Sequence, residues 1–150
     1  MPRLVEATGA QEVAAVRELF AEYARLVDEP CCFADFEREL DSLPGPYKLL
    51  LLEDRSGCVA VRFLSPDTAE MKRLYVRSAH RGRGLGRALA EAAIETAREA
   101  GCSRIVLDTL PKMREAQALY QILGFHATQP YLPVPTPGAL CFELSLSGSG

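Results

Sequence analysis

The chain has 150 residues, of which 48% are hydrophobic and 25% charged, and its formal net charge at pH 7 is −3. This is the composition of an ordinary globular domain, which at this length buries a core without disulfide bonds. The acidic balance argues against a general nucleic-acid binder or a membrane-surface protein, because both are normally basic. No apolar run is long enough to span a bilayer.

The edge strand and the first helix are the first predicted elements. Residues Arg3–Ala7 are a short mixed run that suits an edge strand. Thr8 and Gln11 have the spacing of a capping box, and apolar side chains then recur every three or four residues. A helix is therefore expected over Ala10–Val27, followed by a shorter helix that ends at the "PGP" of residues 44–46.

Three strands in succession are predicted next. "YKLLLLED" (residues 47–54) and "CVAVRFL" (58–64) flank "RSG", which indicates a hairpin with a glycine turn. "SPD" then turns the chain into "TAEMKRLYV" (68–76).

The hydrophobic period changes after residue 84. A long amphipathic helix begins at Gly84 and stops at Gly101, and a second is expected over residues 113–123, ended by Gly124. Between them lies a strand, "RIVLDTL" (104–110), and "ALCFELSL" (139–146) is a closing strand. The order of elements predicts an α/β (α+β) fold with one predominantly antiparallel sheet.

The cysteines and histidines show no pattern of a metal site or of a disulfide framework. The five cysteines form no C-x-x-C pair, and the chain has two histidines. No metal site or disulfide framework is expected, so we predict a reduced cytoplasmic protein with buried thiols, including Cys31 and Cys32. We expect a single domain over residues 1–146 and a flexible tail at 147–150, whose sequence is "SGSG".

The stretch "HRGRGLG" (80–86) stands between the third strand and the long helix. Backbone N–H groups at a helix start lack intrahelical partners, and glycines let a ligand approach them closely. A phosphate or pyrophosphate is the natural guest, with Arg81 and Arg83 adding charge. The alternative is a flexible basic surface loop.

Two common phosphate motifs do not fit this stretch, because the dinucleotide pattern lacks its third glycine and no P-loop string occurs. The pattern R-x-x-G-x-G does occur, as Arg81, Gly84 and Gly86. With "EMKRLYVRSAHRGRGLGRALAEAAIETA" and the later "ALYQILGF", the chain resembles the GNAT superfamily of acyl-CoA-dependent N-acyltransferases. One departure is Met113, where that family often has an asparagine that contacts the coenzyme.

The resemblance implies a coenzyme A site and a fold. Helices would cover both faces of the sheet, and two parallel central strands would splay to form a slot for the thioester. Backbone amides of the glycine loop would hold the pyrophosphate, and the preceding strand would pair with the pantetheine arm. The expected cofactor-binding residues are Leu74, Tyr75, Val76, Arg81, Gly82, Arg83, Gly84, Leu85, Gly86 and Arg87.

Two catalytic residues are implied as well. Glu70 lies where family members with a catalytic glutamate carry it, and it would take the amine proton directly or through water. The alternative is a solvated strand residue or one that is ion-paired with Lys72 or Arg73. Tyr120 lies in the block where the family often places a tyrosine near the sulfur, and its phenol would protonate the leaving thiolate. The alternative is a packed tyrosine with a hydrated hydroxyl.

The resemblance therefore implies an N-acetyltransferase that moves the acetyl group of acetyl-CoA to a primary amine by direct attack in a ternary complex. A catalytically silent acyl-CoA-binding regulatory module is the alternative. The acceptor, a small molecule or a protein amine, stays open, and Tyr131 either lines its pocket or packs in its loop. We expect a monomer or homodimer that needs no metal, nucleic acid or membrane.

Overall fold

A computed structural model describes residues 2–29, 33 and 35–146. Cys31, Cys32 and the tail at 147–150 lie outside these residues. The helices are α1 (Ala10–Val27), α2 (Phe36–Ser42), α3 (Leu85–Glu99) and α4 (Arg114–Ile122), with a 3₁₀ turn at Ser78–His80. The strands are β1 (Leu4–Glu6), β2 (Tyr47–Leu52), β3 (Gly57–Ser65), β4 (Thr68–Val76), β5 (Arg104–Thr109), β6 (His126–Thr128) and β7 (Leu140–Ser145).

The described strands form one mixed sheet in the order β1-β2-β3-β4-β5-β7-β6. Every neighbouring pair is antiparallel except β4 and β5, which run parallel. The predicted α/β class with a mainly antiparallel sheet is therefore confirmed. The strand β6 was not predicted, because its three residues are too few to show alternation.

The parallel pair separates part of the way along its length. Its register joins Thr68 to Arg104 and ends where Glu70 pairs with Val106, although both strands continue beyond that point. The sheet consequently has an opening between the C-terminal ends of β4 and β5.

A β-bulge in β4 lies beside this opening. Cys58 of β3 pairs with Tyr75 and Ala60 pairs with Lys72, so three steps along β4 match two along β3. Arg73, inside the bulge, has a φ of 58°, a conformation that non-glycine residues seldom adopt. Bulges bend a strand and increase its twist, which accounts for the departure of β4 from β5.

Helices cover both faces of the sheet and bury a separate apolar cluster on each. On one face, α1 directs Val13, Val16 and Phe20 against the central strands. On the other face, α3 contributes Leu85, Leu89 and other side chains to a larger cluster. The wide apolar stripes that predicted these helices are the faces they bury.

The N-terminus of α1 differs from the prediction by one residue. Gly9, rather than Thr8, is the N-cap, and Glu12 rather than Gln11 folds back over the helix start. The Glu12 carboxylate accepts hydrogen bonds from the backbone amides of Thr8 and Gly9, at 3.4 and 3.3 Å. A charged acceptor suits this position better than an amide, because the helix dipole places partial positive charge there.

The predicted buried thiols are found at Cys58 and Cys102, whereas Cys141 is half-buried. All three are free. Among the described residues, no group of three or more histidine, cysteine, aspartate or glutamate side chains is arranged to hold a metal ion. None of the helices in the described part of the chain has the length and apolar character needed to cross a bilayer.

A buried ion pair fastens α2 to the bulge. The Arg73 guanidinium donates to both carboxylate oxygens of Glu39, at 3.0 and 2.8 Å. The Arg73 side chain is 7% exposed and that of Glu39 is 15% exposed. The guanidinium also lies over the rings of Phe33 and Phe36, 4.4 and 5.5 Å from their centroids. The guanidinium is largely shielded from water, and these contacts supply it with a counter-ion and with two aromatic faces.

Replacing Glu39 with glutamine is expected to lower the free energy of unfolding by about 2 to 3 kcal/mol, because a buried guanidinium loses its counter-charge. Glu37→Gln is the matched control, since Glu37 is an exposed carboxylate on the same helix. Urea unfolding followed by circular dichroism measures both variants. Equal stability of the two variants would show that the Arg73–Glu39 pair contributes little.

Candidate active site

The start of α3 presents free backbone donors. Gly84 is the N-cap, with a φ of 78°, and Gly82 has a φ of 81°. The amide of Ala88 donates to the Gly84 carbonyl at 3.1 Å, so the amides of residues 85–87 precede this first helical bond. No side chain in the described part of the chain caps them. This end of the helix therefore offers several donors and partial positive charge to an anion.

A groove of ≈ 840 Å³ runs from this helix start along the end of β4. Its other side is formed by α1 and by the beginning of α4. Eight of the ten predicted cofactor-binding residues line it: Leu74, Tyr75, Val76, Arg81, Gly82, Gly84, Leu85 and Gly86. The structure thus brings most of these residues to one surface, although their contacts with a coenzyme stay predictions.

The arginines of the loop differ in their placement. The Arg81 guanidinium donates to the Val76 carbonyl at 3.0 Å and so fastens the loop to the end of β4. Arg83 and Arg87 are outside the groove lining. Arg83 contacts the His80 ring at 3.1 Å and Arg87 pairs with Glu91 at 3.4 Å, with both side chains at the surface.

A small charge cluster joins α1 to β4 at the groove. Glu22 accepts from the Tyr75 hydroxyl at 3.0 Å and from the Arg77 guanidinium at 2.6 Å. The Arg77 hydrogen bonds, outweighing burial, lower the pKa of Glu22, so it is ionised at neutral pH. The cluster holds the wall of the groove in place from the side of α1.

Two residues at the start of α4 also connect to α1. Lys112 donates to the Val27 carbonyl at 2.6 Å and pairs with Glu29 at 3.0 Å. Met113, at the position where an asparagine was expected, accepts from the Tyr23 hydroxyl at 3.9 Å. These contacts link α1 and α4 where they flank the groove.

A second, smaller cavity of ≈ 70 Å³ lies at the opening between β4 and β5. Four residues line both this cavity and the groove, namely Tyr23, Val27, Leu74 and Met113. The two spaces therefore adjoin, and a molecule in the groove could present one end to the cavity.

Tyr120 lines the smaller cavity and is otherwise buried, with 6% of its surface exposed. Its ring packs against Phe125 and Phe142, at centroid distances of 5.7 and 6.4 Å. Burial raises the pKa of Tyr120, so its phenol keeps its proton at neutral pH. Within the described residues its hydroxyl makes no hydrogen bond, which leaves the proton available to a bound molecule.

The position of Glu70 does not suit a base that contacts the substrate directly. It is fully buried and is absent from the lining of both cavities. The Arg62 guanidinium donates to Oε1 at 3.0 and 2.5 Å, and the Tyr131 hydroxyl donates to Oε2 at 2.5 Å. Both oxygens are therefore occupied, and a role for Glu70 in catalysis stays a prediction.

Tyr131 belongs to the proline-rich segment before β7, and its contact with Glu70 closes that segment over the sheet. Burial, with the nearby Glu70 charge, raises the pKa of Tyr131, so its hydroxyl remains a donor. Tyr131 was expected either to line the acceptor pocket or to pack within its loop. It is absent from the lining of both cavities, and its hydroxyl donates to the Glu70 carboxylate.

Two charged residues of the smaller cavity, Lys72 and Asp108, were not among the predicted site residues. Burial raises the pKa of Asp108, with a further contribution from Glu70, while the Lys72 charge opposes the rise. Burial lowers the pKa of Lys72, and Glu70 opposes that shift. An acidic residue inside the otherwise apolar strand "RIVLDTL" was the available signal, since buried carboxylates are uncommon without a function.

Comparison with known proteins agrees with this architecture. The model of the Acetyltransferase (GNAT) family matches residues 13–125. An uncharacterized N-acetyltransferase of Schizosaccharomyces pombe is 44% identical over 92 residues, which are 61% of this chain and 56% of that protein. An uncharacterized N-acetyltransferase of Escherichia coli is 34% identical over 122 residues, covering 73% of this chain and 71% of that protein.

Solved structures show the same fold. The Salmonella typhimurium protein yncA, solved with its cofactor acetyl-CoA, superposes with a TM-score of 0.73 over 100% of this chain and 96% of its own. Its sequence identity is 22%.

Asp108→Asn is expected to raise the melting temperature at pH 7, because it removes a carboxylate whose charged form is penalised by burial. The pKa of Asp108 is raised above its unfolded value of 3.8, so the native protein loses stability as pH rises from 3.8 through the folded pKa. The advantage of the variant should therefore shrink as the pH is lowered towards 3.8. Thermal melts across pH, with the exposed Asp41→Asn as control, measure it, and a variant less stable than the parent at pH 7 would contradict it.

Proposed function

Because the chain belongs to the GNAT acetyltransferase family, we propose that it transfers the acetyl group of acetyl-CoA to a primary amine by direct attack within a ternary complex. One observation carries the proposal: a groove that receives the backbone amides at the start of α3 adjoins, at its other end, a cavity lined by Tyr120, whose hydroxyl has no hydrogen-bond partner among the described residues. This arrangement offers an anion site and a proton donor to the two ends of one elongated thioester.

In this proposal, the coenzyme lies in the groove. The amides of residues 82–87 bind its pyrophosphate, and the open space around Gly82 and Gly84 allows the close approach. Its pantetheine arm follows Leu74–Val76, where β4 has left β5 and that side of the strand has no partner strand. The thioester then reaches the smaller cavity at the opening of the sheet.

The chemical step needs a neutral amine. Neutralising an ammonium with a pKa of about 10.4 near pH 7 costs roughly 4 to 5 kcal/mol, so a base in the site is valuable. The amine nitrogen bonds to the carbonyl carbon, the carbon–sulfur bond breaks, and the Tyr120 hydroxyl protonates the departing sulfur. The nitrogen loses one proton as the amide forms, and this proton restores the Tyr120 hydroxyl directly or through water. A backbone amide at Leu74 or Tyr75 stabilises the charge on the carbonyl oxygen.

Glu70 takes part in this proposal only through other groups. Its oxygens are held by Arg62 and Tyr131, so a proton would reach it through the Tyr131 hydroxyl or through water. Glu70→Gln would then lower kcat and flatten the acidic limb of the pH–rate profile while acetyl-CoA affinity is kept. An unchanged profile would leave Glu70 as a structural ion-pair partner.

Gly84→Val is expected to weaken acetyl-CoA binding at least tenfold. A β-branched residue is strained at a φ of 78°, so the loop must shift and its amides turn away from the anion. Gly101→Val is the matched control, because Gly101 has a φ of 85° and equally open space but lies at the far end of α3. Calorimetry with acetyl-CoA compares the two, and equal affinities in folded proteins would refute the assignment of the groove.

Tyr120→Phe is expected to lower kcat by about 100-fold, the usual scale of a lost general acid. Acetyl-CoA affinity and melting temperature should change little, because the ring and its volume are kept. Tyr47→Phe removes a hydroxyl from a half-buried tyrosine on β2, outside both cavities, and serves as the control. Thiol release and thermal melts are measured on both variants.

Normal turnover of Tyr120→Phe together with a lowered melting temperature would assign that tyrosine a purely structural role. Acetyl-CoA binding by the parent protein without thiol release over a broad amine panel would instead indicate an acyl-CoA-binding module.

A further inference from the structure

The charged side chains around the opening of the sheet do not all have partners. Arg62 is paired with Glu70 and Arg73 with Glu39. Lys72 and Asp108, which line the smaller cavity, have no ion pair within 4 Å among the residues the structure describes, although Asp108 also has a side-chain hydrogen bond with Thr136. Both are at least partly withdrawn from water. A half-buried charge without a partner is costly, and such charges mark places where a ligand supplies the partner.

Strand register places these two residues opposite one another. The parallel pairing ends at Glu70 and Val106, and Lys72 and Asp108 are each two positions further along. They point to the same face of the sheet as Glu70, because Met71 and Leu107 belong to the apolar cluster on the other face. They are level across the opening, yet not in direct contact.

We propose that the acceptor is an amine that also carries a carboxylate, such as a small amino acid, whose ammonium binds Asp108 and whose carboxylate binds Lys72. The proposal rests on the acetyl transfer proposed above and identifies the substrate class for the same site. A molecule with one positive and one negative group would neutralise both unpaired side chains at once. The cavity of ≈ 70 Å³ favours a small acceptor.

Asp108 has the properties of the required base. The acceptor ammonium gives one proton to the Asp108 carboxylate, and the freed nitrogen attacks the carbonyl carbon as the carbon–sulfur bond breaks. The sulfur receives its proton from Tyr120. As the amide forms, the nitrogen loses its second proton to the Tyr120 oxygen, directly or through water, and Asp108 later releases its proton to solvent. A raised carboxyl pKa makes Asp108 a stronger base than an exposed aspartate.

Lys72 is the cation left for the acceptor. The other cation of the cavity lining, the Arg73 guanidinium, is held by both oxygens of Glu39 and by two aromatic faces. Arg62 is held by Glu70. Among the described basic residues of the cavity, only the Lys72 ammonium therefore lacks a carboxylate partner.

Matched acceptor pairs test this proposal. Thiol release from acetyl-CoA is followed with alanine against ethylamine and with phenylalanine against phenethylamine, in which each pair differs by the carboxylate. We expect kcat/KM to be at least tenfold higher for the acids. Lys72→Met should remove that preference by raising KM for the acids alone, and Lys72→Arg should keep it. Asp108→Asn should lower kcat for every acceptor.

Lys48→Met, at an exposed lysine on β2, is the control and should keep the preference. A second measurement covers acceptors that turn over slowly: calorimetry of the same pairs with the protein saturated by a non-reactive acetyl-CoA analogue. Equal binding and turnover of acids and plain amines, or a preference that survives Lys72→Met, would overturn the proposal. Acetyl-CoA affinity is measured in parallel, and its absence would refute the proposed function itself.

Discussion

The separation of β4 from β5 is the constraint on which the rest of this structure depends. The two strands pair for three residues and then part, with Glu70 and Val106 as the last pair. Beyond that point the two strands present facing edges, and no other described strand pairs with the backbone groups between them. Both the groove and the smaller cavity lie along those edges.

Polar contacts hold the opening from several sides. The Arg73–Glu39 pair fastens the bulge to α2, and the Glu22 cluster fastens the end of β4 to α1. Tyr131 and Arg62 meet at Glu70, at the point where the strands part. Because these contacts are hydrogen bonds to charged groups, each fixes direction as well as distance, which apolar packing alone does not. The reactive geometry we propose depends on such fixed directions.

Strong periodicity made much of the fold predictable. The bounds of α1 at Ala10–Val27 and of β4 at Thr68–Val76 agree with those expected from the sequence, because both elements bury a continuous apolar face. The predicted N-cap of α1 was wrong by one position, because the amides of Thr8 and Gly9 both donate to the Glu12 carboxylate. The glycine loop was recognisable because its glycines stand directly before a helix.

The candidate site was predictable only in part. Sequence patterns place Glu70 on a strand, but they do not show that Arg62 and Tyr131, 8 and 61 residues away, occupy its oxygens. Asp108 was passed over because an apolar strand with one acid looks like a core strand. Its importance depends on where β4 and β5 part, and that depends on a bulge whose register no local pattern reveals.

The bulge also determines how many cations β4 can offer. In a regular strand, consecutive side chains point to opposite faces, so Lys72 and Arg73 would be divided between the two layers. The extra residue keeps both on the side of α2. It also places Leu74 on the α3 side and Tyr75 on the α1 side, the reverse of what a regular strand continued from Met71 would give. Arg73 is thereby engaged in the ion pair with Glu39, and its neighbour Lys72 stays available for the proposed acceptor. Deletion of one residue here would restore a regular strand and keep both apolar clusters intact. It would also remove the pair of neighbouring cations on one face. A one-residue deletion would therefore be more informative about the origin of this site than any substitution.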